Sequence, residues 1–199
     1  MTHPLVPERR LEYAASRAIE SFFINAGYDC VSSPLAQFFE QFVPADFLFQ
    51  PGGLVKLFGI QYKVLYNGSP EHWRLAQPQR TALQRFRWIY YGLSDCRDAR
   101  DLRNSLHALR LKESAFPYAP IMHQSAAHPY RRWWSFYADL EACSTGVKLD
   151  GPQTLRDILG PLPDRRWIAR EVTDLIDIFV INQSQRLFSH AMFPPAQYL

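Results

Sequence analysis

The sequence predicts an α/β chain with a mixed central sheet and a helical C-terminal lobe. Three observations carry this reading. Helical periodicity fills residues 7–27, short apolar runs bounded by turn residues follow as far as residue 93, and a second helical stretch interrupts those runs. The chain has 199 residues, 47% hydrophobic and 21% charged, which is ordinary globular usage. Disordered and fibrous classes are excluded, and an aromatic share of 15% gives ample apolar area for a core.

The first helix is well marked. Pro7 stands where a first-turn proline is tolerated, Glu8 suits the positive helix end, and Gly27 supplies the stop. Leu11, Ala15, Ala18, Ile19, Phe22, Phe23 and Ala26 form one apolar stripe between them. Residues 28–32 read as a short strand, followed by a loop or helical turn over 34–41. Two further strands are expected at 46–49 and 59–66, separated by the turn Pro51-Gly52-Gly53. A short strand at 72–75 precedes a helix over 78–86. Residues 88–93 form a continuous apolar run, the pattern of a strand buried on both faces.

The remainder is less regular. Residues 98–112 read as a basic amphipathic helix with Leu102, Leu106 and Leu109 inward. Pro117, Pro120 and Pro129 punctuate an extended stretch, and helices are expected over 132–142, 155–159 and 165–186. There is no internal repeat and no low-complexity tract.

Composition bounds the function. No apolar run approaches the length of a membrane span, and the opening MTHPLVPERR has no apolar core of a secretory signal. Cys30, Cys96 and Cys143 are odd in number and lack a CxxC pair, so reduced thiols in a cytoplasmic protein are expected. Net charge is +3, which permits a nucleic-acid partner without arguing for one. The absence of GxSxG, P-loop, GxGxxG and HExxH patterns removes support from serine hydrolases, P-loop and dinucleotide binders, and zincins.

One constellation suits chemistry. Gln61 and Lys63 lie two apart in the strand at 59–66 and share a face, while Ile60, Tyr62 and Val64 take the other. Burying a Gln and a Lys unpaired on an apolar strand is costly, so a partner is expected. Asp46, opening the preceding strand, is that partner if the two strands form a hairpin. A carboxylate, an amide oxygen and an ammonium then converge, a set that suits metal-assisted hydrolysis of a phosphodiester. Asp46 and Gln61 would offer hard oxygens to Mg²⁺ or Mn²⁺, and Lys63 would orient the attacking water or stabilise developing charge. The other reading places Gln61 and Lys63 on an exposed edge strand, where Lys guards against edge pairing.

The order helix, strand, strand opening with Asp46, then strand with Gln61-Tyr62-Lys63 resembles the PD-(D/E)xK nuclease superfamily. The Gln in place of an acid resembles the variant of Mrr-like restriction enzymes; archaeal Holliday-junction resolvases share the layout with an acid there. The resemblance covers residues 7–93, about half the chain. It implies a restriction-endonuclease-like αβββαβ core within residues 1–95 and Mg²⁺-dependent cleavage of DNA, in restriction or phage defence, repair or mobile-element processing. Residues 96–199 resemble nothing further and are expected to form a mostly helical extension packed on that core. The family also adds an acid from the first helix. Glu12 lies on the border of the apolar stripe and Glu20 almost opposite it, so Glu12 is chosen; its other reading is a solvated helix acid.

Arginines supply candidate DNA contacts. Arg80, Arg85 and Arg87 follow the site in sequence and are expected to grip DNA beside it. Arg131 and Arg132 interleave with Tyr130, Trp133 and Trp134 as stacking and phosphate-binding surfaces do, or else snorkel around two core tryptophans. Arg97, Arg100, Arg103, Arg110 and Lys112 either track a phosphate backbone or pair with Asp95, Asp98 and Asp101. His123 and His128 lack a third metal ligand at useful spacing. The alternative to an enzyme is an inactive nuclease-fold subunit that binds DNA or protein partners, with self-association left open.

Overall fold

Pro7, extended at φ −63° and ψ 129°, turns the chain into helix α1 (Glu8–Asn25), and its carbonyl accepts the first helical bonds from the Arg10 and Leu11 amides. Leu11, Ala15, Ser16, Ile19 and Phe23 form the buried face. Gly27 takes φ +85°, a left-handed conformation that costs glycine little, and the Tyr28 amide bonds back to the Phe23 carbonyl to close the helix. The computed structural model describes residues 2–34, 45–52, 54, 56–69, 71–75, 77–83, 86–113 and 130–148, without the side chains at 31, 33, 77, 78, 80 and 113.

Strands β1 (Cys30–Pro34), β2 (Phe47–Pro51) and β3 (Lys56–Lys63) form an antiparallel meander. A small hairpin, β4 (Leu65–Tyr66) and β5 (His72–Trp73), follows and is anchored by Trp73 Nε1, which donates to the Ser94 carbonyl at 2.8 Å. Helix α2 (Gln77–Leu83) then leads to β6 (Ile89–Ser94), which pairs parallel to β3 with Gly59 beside Ile89 and Lys63 beside Leu93. Every residue of β6 is buried, as its unbroken apolar run predicts. The protein is therefore α/β with a mixed sheet in which β1, β2, β3 and β6 are successive neighbours.

The second half departs from expectation. Residues 98–112 are not one helix. A 3-10 turn at Asp101–Asn104 and the four-residue α3 (Ser105–Ala108) give way to strand β7 (Leu109–Glu113), antiparallel to β6. Leu102 and Leu106 pack on the core as expected, but Leu109 and Leu111 alternate with Arg110 and Lys112, and that period-two pattern belongs to a strand. Strand β8 (Arg131–Arg132) continues the sheet, helix α4 (Trp133–Glu141) follows, and β9 (Val147–Lys148) pairs with the start of β3. The sheet thus runs past residue 95, and the chain divides instead into Met1–Lys148 and Leu149–Leu199. The helices expected at 155–159 and 165–186, the 34–41 turn beyond Pro34, Arg85, His123 and His128 lie outside the described residues.

Apolar side chains are buried on both sheet faces, with Leu48, Leu57, Ile89 and Leu93 on one and the aromatic cluster on the other. Phe49, Phe58, Ile60, Tyr62 and Tyr90 cluster there with Leu11, Ile19 and Phe23 of α1 and Trp133, Phe136 and Leu140 of α4. Edge-to-face ring pairs, Phe23 with Trp133 at 5.8 Å and Tyr90 with Phe136 at 4.8 Å, knit the layer together. Gly92 is required by close approach, since a Cβ there would sit 2.7 Å from Ile60 Cγ2. Cys30 and Cys96 are buried and Cys143 is exposed. No helix among the described residues is long and apolar enough to cross a membrane.

Candidate active site

Two adjacent strands bring the polar residues together. Phe47 pairs with Ile60, and the Asp46 amide donates to the Ile60 carbonyl at 2.9 Å, so Asp46 sits at the mouth of β2 level with Gln61. Its carboxylate then accepts two bonds from β3. Gln61 Nε2 donates to Oδ1 and the Tyr62 amide to Oδ2, each at 2.6 Å. Of the expected convergence, the Asp46–Gln61 contact is present, made by Nε2 and not by the amide oxygen; both side chains are buried, Asp46 at 9% and Gln61 at 3% exposure. The edge-strand reading fails, because β3 is flanked by β2 and β6.

Gln61 Oε1 is buried and without a hydrogen-bond partner among the described residues. A buried amide oxygen left in this way costs on the order of 1–3 kcal/mol unless something accepts it as a ligand. The amide orientation follows from the network: with Oε1 turned to Asp46, two acceptors would face each other.

Lys63 lies two residues along β3 and is only 13% exposed; its Nζ donates to Glu8 Oε1 at 3.2 Å. Glu8 is thus the acid of α1 that touches the constellation, a residue read from sequence as a helix-end charge alone. Glu12 lies one turn further along. Its negative field, like that of Asp46, acts on Tyr62. The Tyr62 hydroxyl shares a 3.0 Å hydrogen bond with Ser16 Oγ. Burial pushes this phenol far above the usual tyrosine range; the Ser16 bond opposes that rise, and the fields of Asp46 and Glu12 add to it. Glu20 is not a purely outward acid, for it accepts from Ser32 Oγ of β1 at 2.5 Å.

The arginines fall elsewhere. Arg87 precedes β6 and is level with Leu57, six residues from Lys63, about 20 Å along the strand. It does not lie beside the site, because β6 runs parallel to β3 and enters at its far end. Arg80 lies on α2 with its side chain undescribed. Arg131 pairs with Asp139 at 2.9 Å; Arg132 bonds the His107 carbonyl and approaches Asp95, which Arg110 also holds at 2.6 Å. Arg97 pairs with Glu71 and Arg100 with Asp98, whose carboxyl the Arg100 side-chain bond holds below the usual range. Trp133 is a core anchor at 1% exposure, whereas Trp134 is 52% exposed.

Among the described residues, no three His, Cys, Asp or Glu side chains gather as a metal site. A hard ion such as Mg²⁺ keeps several waters and takes few protein ligands; here it would meet the Asp46 carboxylate, toward which Gln61 turns Nε2 and not Oε1. No family model, curated protein or solved structure matches this chain.

Proposed function

We propose that the protein is a Mg²⁺-dependent endonuclease that hydrolyses DNA phosphodiester bonds, built on a PD-(D/E)xK-like core. One observation carries the reading: Asp46 and Gln61 meet at 2.6 Å across β2 and β3, with Gln61 Oε1 buried and unsatisfied among the described residues. The element order α1, β1, β2, β3, α2, β6, with the β4–β5 hairpin as an insertion, supports it as the αβββαβ order of that family.

Asp46 and Gln61 are the residues that would hold the metal, Asp46 through its carboxylate and Gln61 through its amide oxygen. Mg²⁺ or Mn²⁺ supplies Lewis acidity toward a phosphoryl oxygen when bound. Lys63 brings a positive charge to the developing negative charge on the phosphate, and Glu8 holds its ammonium in place. The buried wall of Tyr62 and Ile60 behind them limits water access from the core side.

A second reading, an inactive nuclease-fold subunit binding DNA or protein, draws on a specific feature. Asp46 already accepts two hydrogen bonds and Lys63 already has an acid partner, so this network is also internally compensated. Incubation of supercoiled plasmid with purified protein in Mg²⁺, Mn²⁺ or EDTA separates the two. The enzyme reading expects metal-dependent nicking that Asp46→Asn abolishes. The same variant should change stability by less than about 1 kcal/mol, because an Asn oxygen still accepts the Tyr62 amide and its nitrogen can face a turned Gln61. Full activity in Asp46→Asn removes this residue from the site; DNA binding without cleavage in either metal supports the inactive subunit.

A further inference from the structure

A cavity of about 290 Å³ opens at the other end of the sheet, lined by Arg87, Trp88 and Tyr90 ahead of and within β6 and by Ser144, Thr145 and Gly146 ahead of β9. Its wall is fixed. The Tyr90 hydroxyl bonds Thr145 Oγ1 at 2.5 Å and accepts the Gly146 amide at 3.2 Å, while Gly146 takes φ +70° with Leu57 O 3.2 Å from where a Cβ would stand.

The charges behind this wall are unbalanced. Lys56 is 4% exposed, and its Nζ donates to the carbonyl of Thr145 at 3.1 Å, a neutral acceptor. Neither Lys56 nor Arg87 has a carboxylate partner among the described residues. A buried ammonium held by one carbonyl is costly unless an anion completes it.

We infer that this cavity is a phosphate-binding site, with the Arg87 guanidinium as the direct contact and buried Lys56 as the charge behind it. Phosphate is favoured over a carboxylate because its double charge answers two cations, and an Arg fork beside a Lys point charge is suited to it. The cavity stands at the small end of ligand sites, about 300–1,000 Å³, so the ligand is inorganic phosphate or a mononucleotide whose base meets Trp88. Lys56 and Lys63 are seven residues apart, about 23 Å along β3, so the inference does not rest on the metal site.

Calorimetric titration of the full chain at fixed ionic strength tests it, with inorganic phosphate, dAMP and deoxyadenosine as probes and chloride as the control salt. One saturable site with Kd below about 1 mM is expected for phosphate or dAMP, and none for deoxyadenosine or chloride. Tighter binding of dAMP assigns a nucleotide, and equal affinities assign the phosphate group alone. Arg87→Gln, at an exposed position that leaves the fold intact, should weaken binding at least about tenfold, and Lys56→Met should do the same. Absence of saturable binding, wild-type affinity in Arg87→Gln, or equal binding of deoxyadenosine and dAMP overturns the inference.

Discussion

Along β3, neighbouring residues occupy two different environments. Phe58, Ile60 and Tyr62 face α1 and α4 and disappear into an aromatic core, whereas Gln61, on the alternate face, meets Asp46, and Lys63, at the end of the strand, reaches Glu8. The backbone is shared, and only the period of two separates them. The difference teaches that scaffold and candidate site can be perturbed independently on a single strand. At Phe58, Ile60 and Tyr62 a side chain acts through volume and contact; at Gln61 and Lys63 it acts through charge and hydrogen bonding.

The largest expected effect is on the scaffold face. Tyr62→Ala removes a fully buried ring and should cost about 3–5 kcal/mol, enough to lose fold and activity together in denaturant titration. A loss comparable to that of a surface change would break the comparison. Gly92→Ala probes the same face by overpacking. The new methyl meets Ile60 and Tyr62, and about 1–3 kcal/mol of destabilisation is expected, read as a fall in thermal midpoint.

Tyr62→Phe sharpens it further. Deleting only the hydroxyl removes the Ser16 bond, about 1 kcal/mol at neutral pH. The sign with pH then follows. The folded state keeps the Tyr62 proton well above the ordinary tyrosine value, so this contribution is present below about pH 10 and is lost as pH rises beyond it, where the unfolded chain deprotonates. Stability of the wild type should fall above that pH, and the fall should be shallower in Tyr62→Phe. Tyr130 and Tyr137, also raised by burial, leave a residual slope.

The fold was partly legible because its strongest signals were local. A helix closed by Gly27 and the unbroken apolar run at 88–93 needed no tertiary knowledge. The Asp46–Gln61 contact was legible too, since a short turn between strands and a costly buried Gln left few partners. The stretch at 98–112 misled because Leu102, Leu106 and Leu109 repeat at helical spacing, although Leu109 and Leu111 already alternate with cations. Glu8 was missed for a different reason. Helical periodicity tells which residues face inward, but not which strand end reaches the first turn, and Lys63 reaches it across 55 positions of sequence. The placement of Arg87 likewise depended on the parallel sense of β6, which no local pattern encodes.

The most direct test is Lys63→Ala, assayed for thermal stability and metal-dependent plasmid nicking on the same preparation. The Lys63–Glu8 pair is half open to solvent on the Glu8 side, so its loss should cost under about 1 kcal/mol. The expected result is a folded protein with a near-native midpoint that still binds DNA and no longer nicks it in Mg²⁺ or Mn²⁺. Nicking at the wild-type rate, or destabilisation as large as that of Tyr62→Ala, would make Lys63 a structural ion-pair partner and contradict its place in an active site.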